Sequence, residues 1–337
     1  MSATLPLPAL SPASPASPAA TATPSPQART APAVPGDFQH ELVAALSARP
    51  RSVSPKFFYD AAGSRLFDRI CDLPEYYPTR TEFSLLSAHA SEMTAHFGAG
   101  ADLVEFGAGS LTKVRLLLDA WPSPGRFVPV DISADHLQGA AAQLRRDYPG
   151  LDVVPVAGDF TRPLDLPPAA RRVGFFPGSS IGNLGPEGAV RFLRQAARAL
   201  PGGGLLVGID LVKDPATLHA AYNDAAGVTA AFNRNLLVRA NRELGADFDV
   251  DGFDHYAFYD PLQQRMEMHL VSRMHQVVTV AGQRFVFDEG ESLHTENSHK
   301  YTVEGFRNLA RRAGFEPGAV WVDDAHLFSV HWLATPH

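Results

Sequence analysis

Five apolar runs between residues 102 and 212 contain few polar positions, and stretches with helical spacing of apolar residues separate them. The runs are DLVEFGAG, RFVPVDIS, LDVVPVAGDF, RVGFFPGSSIGN and GGGLLVGIDLV. Apolar runs without alternation are typical of parallel strands that helices bury on both faces. The pattern therefore predicts an α/β fold built on a mostly parallel sheet.

The pattern changes after Lys213. Residues 214–245 have helical periodicity, whereas RMEMHLVSRMHQVVTV and QRFVFDEGESLH have the character of antiparallel strands. A helix is predicted from about Thr302 to Ala313, where Gly314 ends it, and the strands GAVWVDD and LFSVHWLA follow. We expect an antiparallel hairpin to complete the sheet, and a second α+β unit to be inserted into the first.

Two helices are predicted before the first of these strands. GDFQHELVAALSA, which begins at Gly36, has the spacing of a short amphipathic helix. Residues 79–82 read Thr-Arg-Thr-Glu, which matches a capping box and predicts a helix from about Arg80 through Phe97. Residues 1–35 consist mainly of Ala, Pro, Ser and Thr with one charge, Arg29, and predict a disordered tail. The tail lacks the basic segment of a signal peptide.

Composition narrows the classes of function. A net charge of −7 argues against a nucleic-acid binder, which needs an excess of basic residues, and favours a small-molecule partner. No apolar stretch is long enough to cross a membrane. Cys71 is the single cysteine, so an internal disulfide and a thiolate metal site are excluded, and a cytoplasmic location is expected. A monomer is consistent with this composition.

A glycine turn follows the first strand of the predicted sheet. Gly107 and Gly109 lie between LVEF and the amphipathic stretch LTKVRLLLDA. A helix N-terminus behind such a turn exposes backbone N–H groups to an anionic or nucleoside-like ligand. A nicotinamide fingerprint needs a third glycine, where this chain has Thr112. The turn indicates a cofactor site but does not by itself identify the cofactor.

The next strand ends supply polar and aromatic side chains at the same sheet edge. Asp131 follows the second strand and could accept hydrogen bonds from ribose hydroxyls; Asp159 and Phe160 follow the third and could contact adenine. The fourth strand ends in FFPGSSIGN. The set predicts an adenosine pocket, although for each residue alone a helix cap or a core position is an equally good explanation.

Longer segments resemble one family. PKFFYDAAGSRLFDRICDLPEYYPTRTE, LVEFGAGSLTKVRLLLDA, FFPGSSIGNL, DLVKDPATLHAAYNDAAGVTAAFNRNLL, RMEMHL and LHTENSHKYT are similar to segments of the histidine-specific Nα-methyltransferases of ergothioneine biosynthesis, the EgtD family. The likeness extends from about residue 50 to the C-terminus. It implies a Rossmann-like class I methyltransferase fold with S-adenosylmethionine as donor and no metal. It further implies L-histidine as acceptor and hercynine, the trimethylated betaine, as product after three transfers.

The resemblance also implies a role for individual residues and a division into domains. Tyr59, Asn183 and Tyr222 would be catalytic by holding the amine and the carboxylate of the substrate. A substrate-binding domain would comprise residues 36–79 and 213–299, and the methyltransferase domain residues 80–212 and 300–337. The implied donor contacts are Gly107, Lys113, Asp131, Asp159 and Phe160; the implied contacts of the amine and carboxylate are Tyr59, Tyr76, Gly178, Asn183 and Tyr222; those of the imidazole are Met268, Glu296 and Ser298.

Glu296 is the residue that distinguishes acceptors. A glutamate at such a position is more often solvated. If it is buried against an imidazole, it binds one ring nitrogen while Ser298 binds the other, and indole leaves part of the site unsatisfied. Three alternatives stay open at this point: a methyltransferase for another aromatic amino acid such as tryptophan, an oxidoreductase that uses NAD, and a non-catalytic module that binds S-adenosylmethionine.

Overall fold

The computed structural model describes Met1 and residues 36–335. The tail predicted over residues 1–35 lies, apart from Met1, outside the described residues. The helices are α1 Gly36–Ser47, α2 Ala61–Cys71, α3 Tyr77–Ala95, α4 Thr112–Ala120, α5 Ala134–Asp147, α6 Gly185–Ala199, α7 Pro215–Tyr222, α8 Val228–Leu244 and α9 Val303–Arg312, with 3-10 turns at Pro55–Phe58, Ser180–Leu184 and Val250–Gly252. The strands are β1 Arg51–Ser52, β2 Asp102–Phe106, β3 Phe127–Asp131, β4 Val156–Ala157, β5 Arg172–Phe176, β6 Gly204–Asp210, β7 Phe253–Asp260, β8 Arg265–Ser272, β9 Gln276–Val280, β10 Gln283–Phe287, β11 Ser292–His299, β12 Glu316–Val322 and β13 Phe328–Ala334.

The larger sheet has seven strands in the order β12-β13-β6-β5-β2-β3-β4. The pairs within β4, β3, β2, β5 and β6 are parallel, and β13 pairs antiparallel with both β6 and β12. Every residue of β2 and β6 is buried. The predicted α/β fold of the Rossmann-like class, completed by an antiparallel hairpin, is therefore confirmed.

Helices bury this sheet on both faces, which explains the unbroken apolar runs. On one face, α3, α4 and α5 supply Leu86, Leu117 and Leu137 to an apolar cluster. On the other face, α6 and α9 supply Leu193 and Phe306 to a second cluster. Loops at the carboxyl ends of β2, β3, β4 and β5 therefore open onto one edge of the sheet.

A second, four-stranded sheet has the order β1-β11-β8-β7, and β9 pairs with β10 in a separate ribbon. A third apolar cluster lies against these strands, and its buried members come from residues 38–77 and 218–293. β1 joins the two stretches, because Arg51 pairs with Leu293. The two-domain division stays a prediction, which this distribution of core residues supports.

The start of α3 differs from the predicted capping box. The helix begins at Tyr77, with Pro78 in its first turn and no side-chain cap at Tyr76. Thr79 and Glu82 thus lie inside the helix, and Glu82 is fully buried. The capping prediction was wrong because a proline with its fixed φ starts the helix earlier. Among the described residues, no helix combines the length and apolarity that a membrane span requires.

Candidate active site

A cavity of about 560 Å³ lies at the carboxyl ends of the parallel strands. The structure brings together on its wall the five residues that were predicted to contact the methyl donor, although they come from separate loops and helices. Predicted residues that line this cavity are Gly107, Lys113, Asp131, Asp159 and Phe160.

The glycine turn at Gly107 and Gly109 forms one wall of the cavity. Gly107 has φ +70°, a conformation that disfavours side chains, and a Cβ there would lie 3.4 Å from the Phe160 ring. The Asp131 carboxylate accepts hydrogen bonds from the N–H groups of Gly109 and Ser133, at 3.1 and 2.9 Å. Burial raises the pKa of Asp131 above its ordinary value despite these bonds. The turn and the β3 end thus form one cradle with a carboxylate at its edge.

The third strand end forms another wall of the cavity. Phe160 packs edge-on against Phe176 and Phe192, with ring centroids 5.2 and 5.7 Å apart. Asp159 accepts a hydrogen bond from the N–H of Thr161 at 2.9 Å and lies 3.5 Å from the ammonium of Lys56. Lys56 belongs to the turn before α2, so this ion pair links the two sequence segments that face the cavity.

Lys113 has a partner that the sequence did not reveal. Its ammonium pairs with the Glu82 carboxylate at 2.5 Å, and the same carboxylate accepts from the Gly178 N–H at 2.8 Å. Glu82 therefore positions both Lys113, which was predicted to contact the methyl donor, and Gly178, which was predicted to contact the substrate. Its position in an apparent capping box concealed this role.

A smaller pocket of about 40 Å³ adjoins the cavity and shares Tyr59, Tyr76, Gly178 and Asn183 with it. The structure brings seven of the eight predicted substrate residues to its wall; the residues are Tyr59, Tyr76, Gly178, Asn183, Tyr222, Glu296 and Ser298.

Met268, the eighth, is not among the residues that line either cavity. It is buried in the core of the second sheet and pairs directly with Glu296 across β8 and β11. Paired residues on neighbouring strands share a face of the sheet, so Met268 packs beside Glu296. The predicted contact between Met268 and an imidazole stays a prediction.

A close approach of two elements joins the halves of the pocket. A Cβ at Gly182 would lie 2.8 Å from the backbone oxygen of His299, so only glycine allows the 180–184 turn to pack on β11. This contact places Asn183 from the turn near Ser298 from β11 on the pocket wall. The sequence GSSIGN is therefore constrained by packing on β11, apart from the ligand contacts predicted for Gly178 and Asn183.

The tyrosines of the pocket are neutral hydrogen-bonding groups. Burial, followed by the negative charge of Glu296, raises the pKa of Tyr59 well above its ordinary value. Burial likewise raises the pKa of Tyr76 and Tyr222. Phe67, which the sequence analysis missed, packs edge-on against Tyr59 and Tyr76 at 5.6 and 6.3 Å between ring centroids. The phenols therefore keep their protons near pH 7 and lie in a rigid aromatic wall.

Glu296 is buried, contrary to the usual solvated state of glutamate. Burial raises its pKa to about 7, although the nearby Lys300 lowers it. A register shift in β11 between His294 and Glu296 leaves Thr295 as the extra residue. Bulges commonly redirect side chains next to active sites. This bulge sets Glu296 on the pocket wall.

A buried charge cluster, which the sequence analysis missed, forms part of the pocket wall through Asp210 and Lys300. Asp210 accepts from the Tyr77 hydroxyl at 2.8 Å and pairs with Lys300 at 2.7 Å and with Lys213. Burial by itself raises the pKa of Asp210, but Lys300 and Lys213 hold it below its ordinary value. Burial lowers the pKa of Lys213 to about 8, against the effect of Asp210. The signal was present in the sequence, since Asp210 lies near the end of the fifth apolar run and ends β6 at the edge that the other strand ends share.

One group among the residues that the structure describes has metal-ligand composition: Glu267, His269 and His294 bring their ligand atoms within 4.8 Å of one another. The two imidazole rings stack, with centroids 4.7 Å apart and planes 23° apart. Lone pairs in nearly parallel ring planes do not converge on one ion, and Arg265 pairs with Glu267 at 2.6 Å. The expectation that no metal takes part stays a prediction, which this geometry favours.

Comparisons with known proteins identify the family of the chain. A family model described as histidine-specific methyltransferase, SAM-dependent, matches residues 38–335. A histidine N-alpha-methyltransferase of Mycolicibacterium smegmatis is 46% identical over 300 residues, which cover 87% of this chain and 93% of that protein. A histidine N-alpha-methyltransferase of Mycobacterium tuberculosis is 42% identical over 303 residues, which cover 88% of this chain and 94% of that protein. Ergothioneine biosynthesis protein 1 of Neurospora crassa is 30% identical over 308 residues, 85% of this chain and 33% of that longer protein.

Proposed function

We propose that this chain, which belongs to the family of histidine-specific, SAM-dependent methyltransferases, methylates the α-amino nitrogen of L-histidine. Three transfers would give hercynine, the first step of ergothioneine biosynthesis. The observation that supports this most directly is the inner pocket. It joins neutral phenols and the Asn183 amide to the buried Glu296 and Ser298, directly beside the larger cavity.

The larger cavity suits S-adenosylmethionine by its chemistry. The open turn at Gly107 admits a ligand close to the backbone, and the Asp131 carboxylate at the strand end could accept hydrogen bonds from ribose hydroxyls. Phe160 offers an aromatic face beside Gly107 for a base. When bound, S-adenosylmethionine supplies an activated methyl group on a sulfonium sulfur. The protein has mainly to align the acceptor nitrogen, a positioning effect that can contribute about 7 to 11 kcal/mol.

Neutral side chains around the α-amino group of the substrate would suit methyl transfer, because the nitrogen must be deprotonated to have a free lone pair. Tyr59, Tyr76 and Tyr222 keep their protons, so they donate hydrogen bonds to a carboxylate without forming a tight ion pair with the amine. A trimethylated nitrogen is a permanent cation, which an aromatic wall tolerates. We assign Tyr59, Asn183 and Tyr222 to the orientation of this end.

Glu296 and Ser298 would bind the two nitrogens of the imidazole. Indole has one N–H and no second nitrogen, so tryptophan would leave one of these buried groups without a partner, at a cost of about 1 to 3 kcal/mol. This favours histidine over the alternative of another aromatic amino acid. Family membership favours S-adenosylmethionine over NAD, and the complete acceptor pocket argues against a non-catalytic module. We expect the enzyme to act as a cytoplasmic monomer.

Mass spectrometry tests this function. The purified chain is incubated with S-adenosylmethionine and, in separate reactions, with each of the twenty amino acids, and an Asn183→Ala variant serves as the matched control. We expect a product with three added methyl groups only from histidine, and at least a tenfold lower rate in the variant. Methylation of tryptophan instead would overturn the roles of Glu296 and Ser298. Binding of S-adenosylmethionine without any product would favour the binding module.

A further inference from the structure

Lys300 is buried in the pocket wall, where it belongs to the charge cluster, and its ammonium has three acceptors. Nζ lies 2.7 Å from the Asp210 carboxylate, 2.8 Å from the Ser298 hydroxyl and 3.2 Å from the Tyr222 hydroxyl. An ammonium has three hydrogens and no lone pair. Each hydrogen thus has one partner, and the orientation of the group is fixed.

This arrangement restricts the two hydroxyl groups. Because Lys300 can only donate, Ser298 and Tyr222 must each accept from it with a lone pair, and their own hydrogens point away from the ammonium. A neighbouring positive charge also strengthens a hydroxyl as a donor. Ser298 therefore has a polarised O–H beside a cation, which it can donate to the neighbouring Tyr222 oxygen or to a ligand in the pocket.

We propose that Lys300 is a positioning and specificity residue, which makes the site select histidine with a neutral imidazole. The ring lone pair would accept from Ser298, and the ring N–H would donate to Glu296. The proposal rests on the proposed function, since it assigns a state to the substrate of that site.

The charges around the ring favour this state. Asp210 faces two ammonium groups, those of Lys213 and Lys300, so the cluster has a surplus of positive charge. An imidazolium would place a further N–H and a further charge against Ser298 and Lys300. The opposing influence is Glu296, whose carboxylate attracts an imidazolium from the other side of the pocket. The protonation state of the bound imidazole therefore shows whether the ammonium of Lys300 or the carboxylate of Glu296 has the stronger electrostatic effect on it.

Variants separate this role from a structural one. Lys300→Met removes the ammonium at similar length, and Lys213→Met removes the other ammonium on Asp210, which contacts neither hydroxyl. Titrations with adenosylhomocysteine and with histidine measure both affinities. We expect Lys300→Met to weaken histidine binding at least tenfold and Lys213→Met less than threefold, with adenosylhomocysteine affinity retained in both. Equal losses in the two variants, or none, would overturn the proposal.

A double-variant cycle tests whether Lys300 acts through Ser298. Ser298→Ala should weaken histidine binding at least tenfold in the otherwise unchanged chain and less than threefold in the Lys300→Met background, because its hydroxyl is no longer oriented there. Independent effects, which multiply, would contradict the proposed mechanism.

Nitrogen NMR of bound, ring-labelled histidine tests the proposal without any variant, so it remains decisive if Lys300→Met fails to fold. With adenosylhomocysteine present, the unchanged chain should give the two widely separated ring signals of a neutral imidazole over the pH range in which free histidine becomes protonated. Two closely spaced imidazolium signals would overturn the role of Lys300 and leave the proposed function intact. Failure of the unchanged chain to bind or methylate histidine would instead remove the proposed function itself.

Discussion

At the scale of single residues, the pocket is defined by carboxylates in unlike surroundings. Two ammonium groups contact Asp210 and lower its pKa. Among the described residues, Glu296 has no such contact partner; burial raises its pKa to about 7, and the charge of Lys300 lowers it only partly. The same protein interior thus holds one acid whose pKa is lowered by neighbouring cations and one whose pKa is raised by burial to about 7. The ionised form of Glu296 accepts the stronger hydrogen bond from an imidazole N–H, because a bond to a charged acceptor is stronger than one to a neutral acceptor.

Replacement of Glu296 should reveal the cost of its buried charge. A carboxyl whose pKa rises on folding stabilises the folded state at low pH, and that contribution is lost as pH rises through the folded pKa. Relative to Glu296→Gln, we expect the unchanged chain to lose about 2 kcal/mol of unfolding free energy from about pH 5.5 to about pH 8. Urea denaturation at several pH values measures this.

The exposed Glu289 provides the control for that series. Glu289→Gln leaves the buried Glu296 in place, so it should not reproduce the difference expected for Glu296→Gln. Parallel curves for Glu296→Gln and the unchanged chain would mean that Glu296 does not have a raised pKa.

Two glutamates show how far a sequence predicts such residues. Glu296 was predicted because it lies in a long segment that resembles a family. Glu82 was missed because its local pattern matched a capping box, while its partners, Lys113 and Gly178, lie 31 and 96 residues away in the chain. A local sequence pattern predicts hydrogen bonds between residues that are close in the chain. The burial of Glu82 depends instead on partners that only the folded structure brings close to it.

At the scale of elements, the bulge in β11 determines which face Glu296 occupies. Thr295 is the extra residue, and its hydroxyl donates to the Asn233 side-chain oxygen at 2.7 Å and lies 3.0 Å from the Met268 backbone oxygen. Asn233 in turn donates to the His269 backbone oxygen at 3.0 Å, so α8 is bonded to both strands at the bulge. The sequence LHTENSH does not reveal this irregularity, because a register shift depends on the pairing of two strands.

Thr295→Val should weaken this junction. The substitution keeps the shape and leaves the buried oxygen of Asn233 without its donor, which costs about 1 to 3 kcal/mol of unfolding free energy. We expect histidine affinity to fall as well, because the bulge orients Glu296, while adenosylhomocysteine affinity stays unchanged. Chemical denaturation and calorimetric titration measure the three quantities.

Thr279→Val in β9 is the matched control, since Thr279 is half-buried and belongs to the separate ribbon. It should leave histidine affinity unchanged. If both variants bind histidine equally well, the bulge does not position Glu296.

At the scale of the whole molecule, the site lies where the apolar clusters of the two sheets meet. Strand ends of the larger sheet supply Gly107, Asp131 and Asp159, and the second sheet supplies Glu296 and Ser298. The parallel sheet was predictable, because buried runs and helical spacing are local signals. The strand order was not, because it depends on which non-neighbouring strands pair, as β2 does with β5. The parallel pairing of β1 with β11 was not predictable either, since it joins residues more than 200 positions apart.

The folded molecule should require α1 but not the residues before it. Phe38, Leu42 and Leu46 of α1 are buried in the core of the second sheet, and replacement of a single such side chain by alanine typically costs about 2 to 5 kcal/mol. Because the composition of residues 1–35 predicts a disordered tail, a chain that begins at Gly36 should keep its melting temperature and its histidine methylation rate. A chain that begins at Arg49 should lose both, because the pocket wall from Tyr59 to Tyr76 packs on the same core. Thermal melting and the mass-spectrometric assay distinguish the two truncations, and activity in the shorter chain would show that this core does not support the site.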